Sequence, residues 1–124
     1  MYSVGNYSSV VASSQLQPIA FQILVSLADQ DRHGYNIMQE VAERTRGEVR
    51  LHAGTLYAAL KRLLADGLVR ELDERPDGQS HDARRRYYRL TALGRRRAED
   101  EARRLAELVR QARKSGLSLK SQRE

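Results

Sequence analysis

Apolar residues recur at helical spacing in four stretches of the chain and alternate with polar ones in shorter pieces between them. In the first stretch, Gln15 to Ala28, the residues Ile19, Ile23, Leu24 and Leu27 form a stripe broadened by Phe21 and Val25. Pro18 suits its opening turn, so a largely buried helix is predicted. The polar break Asp29-Gln30-Asp31-Arg32-His33-Gly34 ends it. Tyr35, Ile37, Met38, Val41 and Ala42 predict a shorter second helix closing near Thr45. Val49 and Leu51 alternate within Gly47 to His52, enough for a short extended piece. In the third stretch Leu56, Leu60, Leu63 and Leu64 fall at i, i+4, i+7 and i+8, so one helix face seeks a core. Gly67 follows as the left-handed residue that releases its last carbonyls.

Leu68 to Asp73 alternates, and Arg85 to Leu90 carries the β-favouring Tyr87, Tyr88 and Leu90, with a turn-rich segment, Glu74 to Asp82, between them. Three helices followed by such a hairpin is the order of a winged helix-turn-helix. The expected fold is mainly α with a small β-hairpin. Thr91 can cap a last helix from Ala92 to Lys114, in which Ala98, Ala102, Leu105, Val109 and Ala112 recur at +4, +3, +4, +3, the seam of a helix that packs on another. Two partners fit that seam: the first helix of the same chain, or a second copy, which the small size of the domain favours. Glu99 with Arg103 and Asp100 with Arg104 would support the helix from outside.

The third helix turns Thr55, Ala58, Lys61 and Arg62 away from its leucine face. That profile is slim enough to enter a DNA major groove, with two cations to reach base acceptors or phosphates, and it also suits an ordinary solvated face. Charge separates the halves of the chain. The formal +6 splits into about −1 over residues 1–60 and about +7 over the rest, and Ala83 to Ala98 holds seven arginines and no acid. Such a density points to phosphate contact, or to a genome that favours arginine over lysine.

Other chemistry finds no support. Without cysteine there is no disulfide framework or thiolate site, which suits a reducing cytoplasm. His33, His52 and His81 lack the spacing of metal ligands, and no phosphate-cradling glycine loop or nucleophile elbow occurs. Nothing marks an enzyme, a cofactor site or a membrane span. Residues 1–14 carry no secretory pattern and are expected to form a mobile arm, residues 15–91 a DNA-binding domain, and residues 92–124 a dimerisation helix with a frayed tail.

His33-Gly34-Tyr35-Asn36-Ile37, then Gly54-Thr55-Leu56-Tyr57 with Leu60-Lys61-Arg62-Leu63 and Gly67-Leu68-Val69, then Arg85-Arg86-Tyr87-Tyr88-Arg89-Leu90-Thr91 with Gly94, together resemble the PadR family of bacterial transcriptional regulators. The resemblance covers about residues 16–95, and the single helix after the wing looks like the short subgroup. It implies a homodimeric repressor on a pseudo-palindromic promoter site, joined through its last helix; an effector, a small molecule among the candidates, or a partner that moves those helices would release the DNA. By position, Tyr35 would support the reading head. Thr55, Tyr57, Lys61 and Arg62 would face the major groove, and Arg84, Arg85 and Arg86 would form the wing's contact with double-stranded DNA. Core packing is the other role open to Tyr35 and Tyr57. Three departures stand out: Ala58 where the family often has proline, Asp82-Ala83 where it has paired glycines, and no tryptophan on the last helix to stack a planar ligand. A basic winged-helix module that binds RNA or a protein partner without sequence choice is the rival expectation.

Overall fold

The computed structural model describes residues 16–72 and 86–120. The arm expected over residues 1–14, the wing tip, Asp82-Ala83, Arg84 and Arg85 lie outside them. Four helices, α1 (Pro18–Ser26), α2 (Gly34–Arg44), α3 (Ala53–Ala65) and α4 (Ala92–Lys114), surround a sheet of β1 (Arg32–His33), β2 (Val69–Leu72) and β3 (Tyr87–Leu90). The sheet is antiparallel in the order β1-β3-β2, with Val69 opposite Leu90, Leu72 opposite Tyr87, and Arg32 opposite Tyr88. Among the described residues no helix is long and apolar enough to cross a membrane.

The stripes read from the sequence meet in one core. Ile23, Leu24 and Leu27 of the first stretch, Ile37 and Val41 of α2, and Leu56, Leu60 and Leu63 of α3 are buried together with Leu68, Val69 and Tyr88. Helix α1 is shorter than expected, ending at Ser26, where the Ser26 hydroxyl donates to the Ile23 carbonyl at 2.6 Å. Helix α3 closes on Gly67 at φ 76°, with the amides of Gly67 and Leu68 donating to the carbonyls of Leu64 and Leu63. This pairing satisfies the last carbonyls and turns the chain straight into β2.

The extended piece over Gly47 to His52 joins no sheet; Val49 and Leu51 alternate because they pack, half-buried, against the core from a loop. The polar break, expected to be irregular throughout, instead holds a third strand at Arg32–His33. Arg32 is buried there, and its guanidinium donates to the Ser26 carbonyl (2.6 Å), the Asn36 amide oxygen (3.0 Å) and Asp29 (3.3 Å), with Glu40 at 3.5 Å. A buried cation survives only when so fully satisfied, and this one fastens the end of α1 to the start of α2.

Helix α4 begins as expected, with the Thr91 hydroxyl accepting from the Gly94 amide at 2.9 Å. Its first turn is seated on the α3–β2 junction: the Thr91 amide donates to the Leu68 carbonyl (3.1 Å), and the Thr91 hydroxyl to the Gly67 carbonyl (2.7 Å). Its ion pairs run i, i+3, joining Asp100 to Arg103 and Glu101 to Arg104, not the i, i+4 pairs expected from Glu99 and Asp100.

Glu101, in the charged run Glu99-Asp100-Glu101, is 3% exposed and also accepts from the Leu16 amide at 3.5 Å. The Arg104 hydrogen bond, opposed by burial and aided by the Leu16 amide, holds its carboxyl below the usual range. A depressed carboxylate stabilises the fold in full above the ordinary glutamate range and loses that contribution as the pH falls from that range through its own lowered value. Glu101→Gln should therefore melt below the wild type at pH 7, and the gap should close as melting curves are recorded toward pH 3.

Candidate nucleic-acid interface

The outer face of α3 is set by its buried one. With Leu56, Leu60 and Leu63 inward, Thr55, Tyr57, Ala58, Lys61 and Arg62 are all exposed. At about 100° per residue they occupy two flanks. Thr55 and Arg62 turn toward α1, where they and Arg97 rim a cleft of about 700 Å³ floored by Ala20, Ala59 and Leu63. Tyr57 turns toward α2, and Lys61 points outward between the flanks. Helix α3 runs unbroken through Ala58, so alanine in place of proline leaves the helix regular. His52 precedes it without a side-chain cap bond.

The two tyrosines differ. Tyr57 is 43% exposed, but its hydroxyl end lies against Gly34, where a Cβ would stand 2.2 Å from Oη. A glycine after His33 is thus what lets α2 and α3 approach with Tyr57 between them, and Tyr57 both packs and shows a ring edge to solvent. Tyr35 is 62% exposed and stacks on His33 (6.4 Å between centroids, 13°), which meets Tyr87 edge-on at 5.4 Å. His33 Nδ1 accepts from the Asn36 amide at 3.1 Å, capping α2. The motif around His33 therefore joins the start of α2 to the root of β3.

The arginine-rich segment is less open to a ligand than its sequence suggested. Arg86 is paired with Glu71 across the hairpin, and Arg89 makes two bonds to Asp31, at 3.1 and 2.8 Å. Both guanidinium groups are held protonated by those hydrogen bonds first and the carboxylate charge second. Arg95 donates to the Ala28 carbonyl at 2.9 Å. These three brace the sheet and the base of α4. Cations that make no hydrogen bond or ion pair among the described residues include Lys61 and Arg62 on α3, Arg70 on β2, and Arg46 and Arg50 in the loop before α3. Sequence reasoning passed over the last two, although both immediately precede the helix it singled out.

On α4 the predicted seam divides. Ala98 is half-buried and packs against the chain's own core, Ala112 is half-buried, and Ala102, Leu105 (36%) and Val109 (42%) are exposed. Leu108, 47% exposed, adds to that apolar stripe.

A three-helix core whose third helix keeps an open cationic face, followed by a two-stranded wing, defines a winged helix-turn-helix DNA-binding protein. The model of the PadR-like transcriptional regulator family matches residues 23–100, and the chain belongs to that family. It is 37% identical over 97 residues to the transcriptional regulator Rv3488 of Mycobacterium tuberculosis, covering 78% of this chain and 84% of that one. An uncharacterized protein of Lysinibacillus sphaericus is 38% identical over 73 residues, which are 58% of this chain and 63% of its own length. Among solved structures, a PadR family transcription regulator of Clostridium difficile superposes with a TM-score of 0.66 at 30% identity, covering 79% and 97% of the two chains. Bacillus subtilis PadR in complex with operator DNA shares the fold at 21% identity, with a TM-score of 0.58 over 68% of this chain and 46% of that one.

Proposed function

We propose that this transcriptional regulator is a cytoplasmic repressor that binds a pseudo-palindromic promoter site as a homodimer and is released by a small-molecule effector. The observation that carries the DNA reading is the divided character of α3: its leucine face is spent in the core, while Lys61 and Arg62 stand exposed and unpaired among the described residues. Thr55, Tyr57, Lys61 and Arg62 form the groove side with Tyr35 supporting it, and Arg84 and Arg85 form the wing contact together with Arg86, which Glu71 holds in place. Residues 15–91 bind DNA and residues 92–124 dimerise, with Ala98, Ala102, Leu105, Val109 and Ala112 marking the seam. The exposed part of the stripe on α4, Leu108 included, supports this arrangement, because a helix end so apolar on one side gains by burying it against a second copy. An effector that binds one spacing of the paired helices better than another shifts the population away from the DNA-competent form.

The full chain should bind its operator at least ~1,000-fold more tightly than a scrambled duplex at physiological salt. A ratio near one in the same titration contradicts the repressor and supports the rival module without sequence choice. Within the site, Arg62→Ala should cost ~1–3 kcal/mol on the operator and relax the preference at one base position. Arg85→Ala should weaken binding to all duplexes alike and reduce the salt dependence. Equal losses on operator and random DNA for both variants would show the reading helix and wing to be wrongly assigned.

A further inference from the structure

Three helices of this fold end in the same motif, and one of them breaks its chemical rule. After α3 and α4, the two amides beyond the cap donate back to carbonyls of the last turn, and the left-handed residue is a glycine, Gly67 at φ 76° and Gly116 at φ 94°. After α2 the same bonds form, from Arg46 to the Glu43 carbonyl at 3.1 Å and from Gly47 to the Ala42 carbonyl at 2.7 Å, but the left-handed residue is Arg46, at φ 55°. It is the one non-glycine residue with positive φ among the described residues. A side chain in that conformation strains a backbone that glycine would leave relaxed. Within the described fold nothing offsets the strain: Arg46 is exposed and its guanidinium has no partner there.

Four residues on, Arg50 is also exposed and unpaired among the described residues, and its guanidinium lies over Gly47, where a Cβ would stand 3.1 Å from Nη2. Gly47, itself at φ 81°, thus leaves room for it. Neighbouring Arg44 is different, being tied to Glu40 at 2.6 Å. The loop that carries the two free cations is firmly built. The Thr45 hydroxyl donates to the Val41 carbonyl (2.8 Å) and accepts from the Val49 amide (3.0 Å), while Val49 and Leu51 anchor the loop on the core. It leads directly into Ala53, the first residue of α3, so its cations sit beside the end of the helix that enters a groove first.

We propose that Arg46 and Arg50 form a clamp for the phosphodiester backbone of duplex DNA at the rim of the groove that α3 enters. The proposal rests on the DNA-binding reading above and adds a contact outside the helix and the wing. It explains why a strained arginine stands where the other two helix ends have glycine: the side chain contributes to binding what it costs in folding.

The test sets stability against affinity in the full chain. Arg46→Gly should melt a few degrees higher than the wild type, because the strain is removed. It should nonetheless bind operator and scrambled duplexes each about 3- to 10-fold more weakly, with the slope of log affinity against log salt shallower by about one. Arg50→Ala should show the same loss of affinity and slope with an unchanged melting temperature. An Arg46→Gly variant that melts lower, variants that bind like the wild type, or a loss confined to the operator would overturn the clamp. If the wild type binds while the variants match it, this proposal alone fails; if the wild type binds no duplex, the DNA-binding reading fails with it.

Discussion

Gly94→Ala should cripple the fold. A Cβ at this position would stand 2.0 Å from the Leu68 carbonyl oxygen and 2.9 Å from Leu90 Cδ1. The obstacle is backbone, so no side chain can swing aside, and α4 must lift from the α3–β2 junction. Lifting it breaks the bonds that Thr91 makes to the carbonyls of Leu68 and Gly67. Overpacking of ~1–3 kcal/mol and two lost hydrogen bonds at ~1 kcal/mol each give ~3–5 kcal/mol, a large part of the stability of a small domain. Thermal melting followed by circular dichroism should show Tm lowered by ~10 °C or more. Gly54→Ala is the matched control: nothing lies within 4 Å of its added Cβ, and it sits inside α3, so it should melt at or above the wild-type temperature. A Gly94→Ala protein as stable as the wild type would mean that α4 is not seated where the structure places it.

The second large effect concerns assembly. Leu105 and Val109 are exposed on one face of α4 and take no part in the chain's own core, so replacing both with glutamate should leave each monomer folded. It should, however, bury four like charges in the proposed dimer seam and separate the copies. Losing the second reading helix turns a bivalent grip into a single one, and affinity for a full site should fall by about 100-fold or more. Light scattering of the eluting protein and titration of one operator duplex read both consequences. A double variant that remains dimeric, or a monomer that binds as tightly as the wild type, contradicts the proposed role of α4.

What could be read from the sequence was what local rules decide. The leucine stripe of α3, the cap at Thr91 and both ends of α4 rest on residues within a few positions of one another, and the structure has them where spacing put them. The His33-Gly34-Tyr35 motif was visible, but its reason was not: Gly34 answers to Tyr57, in another helix. The third strand was illegible because two polar residues form it, pairing with Tyr87 and Tyr88 far along the chain, and because the burial of Arg32 is offset by partners no periodicity reveals. Glu101 was missed for the same reason, since a buried carboxylate inside a run of charges looks like its exposed neighbours. The arginines taught most. Counting them suggested a phosphate track along Ala83 to Ala98, yet Arg86, Arg89 and Arg95 are engaged by Glu71, Asp31 and Ala28, and only tertiary contacts distinguish a brace from a free cation.

Two reading helices held at the pitch of the double helix by paired last helices are what the whole functional account requires. Selection of sequences bound by the full chain from a pool of random duplexes measures this in a single experiment. The enriched sites should form an inverted repeat whose half-site centres lie about 10 base pairs, or a small multiple of that, apart. Enrichment of one unrepeated half-site, or of no sequence at all, would contradict it.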